Sequence, residues 1–194
     1  MKGLRFASLT CAFALLGITA TEEPKGAQKE AGPPPTATLP ARVAGYRAWA
    51  CANPEPVKMI SPIATQCMAP TPQQIAREKA NPHVEKWARV YVNDAGKTSF
   101  LRDDRPVLPV GTVLVKEKLP AKDANRAELL TVMVKREKGY DPKFGDWEYA
   151  VLSGDAKTVR ARGRLANCRE CHAGQERTGY VFRWYRTRQR DPGK

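Results

Sequence analysis

From Trp87 to Val92 the chain alternates, with Ala88, Val90 and Val92 on one side and Trp87, Arg89 and Tyr91 on the other. A period of two is that of a pleated strand. Three further segments carry similar signals. Thr112 to Lys118, approached through Pro109-Val110-Gly111, predicts a strand, as do Leu129 to Lys135 and Asp146 to Leu152. In the fourth of these strands Trp147, Tyr149 and Val151 share one face, while Asp146, Glu148 and Ala150 share the other. Asn93-Asp94-Ala95-Gly96 and Ser153-Gly154-Asp155 predict turns, and Gly139 to Gly145 a loop. Tyr180 to Tyr185 predicts a last strand.

Helical signals are fewer. Val43, Tyr46, Arg47 and Trp49 predict a short first helix that ends at Asn53-Pro54. Thr71 as N-cap, Pro72 at the first helical position and Gln74 completing a capping box predict a second, stopping before Asn81-Pro82. Val159 to Cys171 is expected to be a helix or turn. There are no internal repeats. The expected fold class is α+β, mostly β: an antiparallel sheet with a few packed helices.

The N-terminus reads differently. Lys2 and Arg5 precede an apolar run from Phe6 to Ala20, broken only by Ser8, Thr10, Gly17 and Thr19. This run is short for a bilayer span. With small residues near Ala20, it predicts a cleaved signal peptide over residues 1–20 and export, most simply to a bacterial periplasm. Cys11 lies inside the run, and Ser8 stands where a lipoprotein signal usually has Leu, so Cys11 reads as filler. Residues 21–41 are Pro, Gly, Ala, Thr, Lys and Glu with almost no large apolar side chains, which predicts a flexible linker. Residues 42–194 then form one folded domain.

The formal net charge is +13. Such a field favours acidic partners, anionic substrates or anionic membrane surfaces. The charges are dispersed, however, and no aromatic-interleaved basic motif points to nucleic acid. Two cysteines, Cys51 and Cys67, are open to a disulfide in an oxidising compartment or to a role as separate buried thiols.

The chemistry concentrates in Cys168-Arg169-Glu170-Cys171-His172. C-x-x-C-H is the attachment signature of a c-type haem. Two thiols three residues apart on a helical turn can meet the two vinyl groups of one porphyrin edge. The histidine that follows can then bind iron. A structural zinc site wants four ligands, and the chain has one other histidine, His83. The expected cofactor is therefore covalently attached haem c, held by Cys168 and Cys171, with His172 as the metal ligand. No Met or His follows His172. A sixth ligand would have to come from Met59, Met68, His83 or Met133, so a five-coordinate iron with an open face is expected.

Together these residues resemble a known family. Glu128 to Leu152, Gly163-Arg164-Leu165, the CRECH run and Tyr180-Val181-Phe182-Arg183 are similar to the cytochrome P-460 family. The resemblance extends back through Tyr46-Arg47, Trp49, Asn53-Pro54-Glu55-Pro56 and Val90-Tyr91-Val92-Asn93. That family comprises hydroxylamine-oxidising cytochromes P-460 and the β-sheet form of cytochrome c-prime. The resemblance implies a mostly antiparallel β fold, an open distal haem face and a homodimer. It implies either oxidation of a small nitrogen species, with electrons passed to a partner cytochrome, or non-catalytic nitric oxide binding. A plain electron-transfer cytochrome is the remaining alternative. In the oxidising members a lysine is cross-linked to the porphyrin and a distal carboxylate takes protons. The matching lysine here is expected at Lys116, with Lys118 as fallback, unless both face solvent. Glu148 is the candidate general base, or else a surface partner of nearby cations. Phe100 and Phe144 are candidates for a distal aromatic cap.

Overall fold

The computed structural model describes residues 38–59, 69–79 and 84–183, all within one unit spanning Pro33–Lys194. Strands β3 (Trp87–Val92), β4 (Val113–Leu119), β5 (Leu129–Lys135), β6 (Trp147–Ser153) and β7 (Val159–Gly163) follow one another across an antiparallel sheet. Two short strands, β1 (Ala50–Cys51) and β2 (Val57–Lys58), both pair with β3 and bring the sheet to seven strands. This is the α+β, mostly β architecture that the alternation predicts.

Residues paired across antiparallel strands point to the same face, so the register sorts the sheet into two layers. Tyr91, Val115, Val132 and Ala150 pair in a row. They pack with Val113, Leu130, Val134 and Leu152 beneath Leu39 and Val43 of α1 (Leu39–Val43). On the other face Val92, Leu114, Met133 and Tyr149 form the corresponding row. That face packs against Phe100 of α3 (Asp94–Arg102), Leu108 and Val181. Both faces are therefore covered. On this second face Lys118 is fully buried and Lys116 half-buried, so neither is a fully exposed surface lysine.

Several local expectations are corrected. The first helix ends at Val43, and Gly45 in a left-handed conformation (φ 69) leads into a separate 3-10 turn, Tyr46–Ala48. The chain is already extended at Ala50, where it pairs with β3. Leu39 is fully buried, so the core reaches back into the stretch expected to be linker. Helix α2 (Pro72–Lys79) forms with its capping box, since Thr71 N–H donates to Gln74 Oε1 at 2.7 Å and Gln74 N–H to Thr71 Oγ1 at 3.2 Å.

Asn93-Asp94-Ala95-Gly96 is not a turn but the start of α3. The Asn93 side chain ties that start to β4, accepting from Val113 N–H and donating to the Gly111 carbonyl, both at 2.9 Å. The stretch from Val159 to Cys171 divides into β7, a short connection and helix α4 (Ala166–Ala173). Residues 180–183 are not a strand, because Tyr180 is left-handed (φ 63). Cys11, Cys67, Met68 and His83 lie outside the described residues, and with them the Cys51–Cys67 pairing and two of the sixth-ligand candidates.

Candidate functional site

Helix α4 carries Cys168, Cys171 and His172. Positions i, i+3 and i+4 lie together on one side of a helix, so the three reactive side chains share a face. Cys168 and Leu165 pack against the sheet layer that holds Val90, Leu114, Met133, Trp147 and Tyr149. The helix is short and has no side-chain N-cap, so its own propensity gives it little stability. Tertiary anchors hold it instead. Arg169, between the two cysteines, forms an ion pair with buried Asp141 at 3.0 Å and places its guanidinium 4.2 Å from the centre of the Phe144 ring.

His172 is held on three sides. Its ring lies 4.9 Å from Phe182, edge-on, and 5.4 Å from Tyr149. Its Nδ1 is 2.7 Å from the Tyr180 carbonyl oxygen. A carbonyl only accepts, so Nδ1 carries the proton and Nε2 keeps its lone pair. Burial pushes the imidazole pKa down to about 4, which keeps the ring neutral and able to bind a metal.

The sheet face opposite α4 supplies two amines. Lys116 and Lys118 pair with Val90 and Ala88 of β3 and with Thr131 and Leu129 of β5, so both project toward the α4 side. Burial lowers the Lys116 amine to about 8 and the Lys118 amine to about 7, while the nearby Cys168 and Cys171 oppose that shift in both cases. No carboxylate among the described residues pairs with Lys116. Lys118 is the more deeply buried, with 0% of its surface exposed. The structure thus brings Lys116 and Lys118 together with Cys168, Cys171 and His172.

Glu148 is not brought to this place. It pairs with Val134 and so lies on the opposite face of the sheet, beside Ala150 and Leu152. Arg162 Nε donates to its Oε1 at 2.6 Å and Arg136 NH1 to its Oε2 at 2.8 Å. Burial tends to raise its pKa, but the two guanidiniums outweigh burial and hold the carboxyl below its ordinary value. A carboxylate pinned between two cations on the far side of a sheet is a poor proton acceptor for the α4 site, so the expected general-base role does not fit. Of the aromatic candidates, Phe100 is fully buried in the layer that meets α4, whereas Phe144 stacks under Arg169. Met133 packs in that same layer beside Leu114 and Tyr149.

Sequence reasoning missed Tyr149. Its phenolic oxygen is buried and has no hydrogen-bond partner among the described residues, although its ring faces His172 and the two thiols lie close by. A buried donor without an acceptor is costly in a protein interior. Beside the thiol pair and the neutral imidazole, it marks a place where a polar group that fills the site would find a donor. Alternation had placed Tyr149 on this face, but no local signal marks a phenol as unpaired.

The cytochrome P460 family model matches residues 64–183. The chain belongs to the cytochrome P460 family. None of the curated proteins matches the chain. The cytochrome P460 match takes in β3 to β7, α4 and the turn after it. It begins after Tyr46-Arg47 and Asn53-Pro54, so those parts of the resemblance lie outside it. Membership in the cytochrome P460 family makes this a haem protein, and α4 carries the residues suited to hold the haem.

Proposed function

We propose that the protein is an exported, periplasmic c-type haem protein that binds or oxidises small nitrogen species. The observation that carries this reading is the meeting of α4 with the lysine-bearing face. Thioethers to Cys168 and Cys171 would fix the haem, and His172 Nε2 would supply the proximal iron ligand. Bound there, haem iron supplies a site for a nitrogen ligand and a store for electrons. The chain's own residues set the surroundings: Tyr149 holds a buried hydroxyl with no partner among the described residues, and burial lowers the Lys116 amine to about 8, so a minor share of it is neutral near pH 7.

Hydroxylamine oxidation with electron transfer to a partner cytochrome is the enzymatic form of this reading. It draws on the lowered pKa of Lys116, since the neutral amine is the nucleophilic form. Nitric oxide binding without turnover is the second form. It is favoured by the position of Glu148, which leaves the site without the carboxylate base expected from the sequence.

Purified exported protein decides between the forms. Cys168→Ala with Cys171→Ala is expected to yield protein without covalent haem on a denaturing gel, and covalent haem surviving in that variant would sink the attachment claim. In the unaltered protein a ferrous Soret band far to the red of an ordinary c-type spectrum, restored to normal by Lys116→Leu, supports the oxidase. An ordinary spectrum from the start, with high-spin ferrous iron that takes up nitric oxide directly, supports the binder.

A further inference from the structure

The geometry points to Trp147 and Thr178 as positioning residues for the His172 imidazole, acting through the peptide units of Gly179 and Tyr180 to set how strongly that ring donates to iron. The inference rests on His172 being the iron ligand. It does not depend on which nitrogen species is handled.

The argument starts from Tyr180. Its carbonyl is the acceptor for His172 Nδ1–H at 2.7 Å. A backbone carbonyl points where the neighbouring dihedrals send it, and both Gly179 (φ 68) and Tyr180 (φ 63) are left-handed. For tyrosine that conformation is disfavoured, because Cβ crowds the following carbonyl oxygen. It persists only where the surroundings over-determine it. Here they do. Fully buried Trp147 donates its indole N–H to the Gly179 carbonyl at 2.9 Å. Thr178 Oγ1 lies 2.8 Å from the Val181 carbonyl and 3.1 Å from that of Gln175, bridging the two ends of the turn. Tyr180 N–H donates to the Gln175 carbonyl at 2.7 Å. The Tyr180 ring packs over Gly145, where a Cβ would overlap it.

These contacts come from two different places, β6 and the turn itself, and they hold the peptide units on either side of the Tyr180 carbonyl. A short, well-aligned Nδ1–H···O bond gives the imidazole partial imidazolate character and raises its basicity as a ligand. A stronger donor holds ferric iron better than ferrous. Loosening the carbonyl should therefore weaken the iron–histidine bond and raise the midpoint potential. No titration is involved, and neither residue touches the iron.

The test uses the haem-loaded protein. Trp147→Phe keeps an aromatic ring in the core but removes the indole donor. Thr178→Val removes the hydroxyl at nearly constant shape, and Thr178→Ser restores it. The expected result is an iron–histidine stretch, read by resonance Raman on ferrous protein, that moves to lower frequency in Trp147→Phe and Thr178→Val. The midpoint potential should rise in both, and Thr178→Ser should match the parent in both readings. Leu130→Ala, in the opposite sheet layer, should lower thermal stability while leaving stretch and potential alone. Should Trp147→Phe not fold, Thr178→Val and its serine partner decide the matter by the same two readings. Unchanged stretch and potential in folded variants would overturn the positioning role. Unaltered protein that carries no haem would overturn the haem reading itself, and the proposal with it, which is a visibly different failure.

Discussion

At the scale of single residues, position relative to the sheet decides what a charged group does. Glu148 and Lys116 are both strand residues beside cations or thiols, yet one is a structural anchor and the other faces the α4 site. Glu148 has its pKa held down in the folded protein, so its ionised form stabilises the fold above the ordinary glutamate value. That contribution is lost as pH falls through the lowered folded value. Glu148→Gln is expected to cost about 1–3 kcal/mol at neutral pH, after allowance for the partly exposed arginines. It should also flatten the acid limb of stability, read as urea midpoints from neutral pH down to about pH 3. A variant that loses stability equally at every pH would show that packing, and not charge, is what Glu148 supplies. The sequence made its face legible through parity. It could not show Arg136 and Arg162, which arrive from just past the end of β5 and from β7.

At the scale of elements, the four strands β3 to β6 were legible from the period of two, whereas β7, expected as part of a helix or turn, and the two short strands β1 and β2 were not. Helix α3 was not. Asn93-Asp94-Ala95-Gly96 carries turn residues, and a glycine early in a helix argues against one. The structure explains the glycine: a Cβ at Gly96 would overlap the Thr112 side chain, which is fully buried at the entrance to β4. The helix lies so close to the strand that only hydrogen fits. Propensity alone predicts that Gly96→Ala stabilises by roughly 1 kcal/mol. Overpacking predicts the opposite sign, a loss of about 1–3 kcal/mol. The second is expected, because Thr112 has nowhere to move, and thermal unfolding of Gly96→Ala checks it. A raised melting temperature would show that α3 shifts outward at little cost. The turn from Gly174 to Phe182 escaped sequence reading for a related reason. Tyr180 is left-handed against its own preference, and contacts from β6, from the loop around Gly145 and within the turn hold it so.

At the scale of the whole molecule, the motif in α4 was fully legible and its surroundings only in part. The two cysteines and the histidine are contiguous, so their chemistry follows from spacing alone. The lysines that meet them lie some fifty residues earlier in the chain, and parity left open whether they faced solvent. Coverage of their face by α3, α4 and Val181 buries Lys118 fully and Lys116 in part, which is a property of the assembled layers. The overall charge of +13 also belongs to this scale. Oxidation of the ferrous protein by ferricyanide, a trivalent anion, is expected to slow as salt is raised, since the net field attracts the oxidant at low ionic strength. Stopped-flow rates across a salt series give the sign directly. A rate that rises with salt would place local acidic charge where electrons leave.

Strand β4 runs Lys116-Glu117-Lys118, two cations toward α4 and one anion toward Tyr46 and Arg47, with Glu117 fully buried and 2.6 Å from the Tyr46 hydroxyl. This alternation also guards against a folding error. A sheet strand displaced by one residue turns every side chain over. For β4 that slip would drive two ammonium groups into the aliphatic layer of Val132 and Ala150 and set a bare carboxylate against the thiols. Glu117 would lose the Tyr46 hydroxyl and the Arg47 guanidinium that hold it, and a buried unpaired ion costs several kcal/mol. An all-valine strand would tolerate the displaced pairing far better. The same three residues that arm one face of the sheet thus also select, among neighbouring pairings, the one in which the cysteines and the histidine find amines to meet.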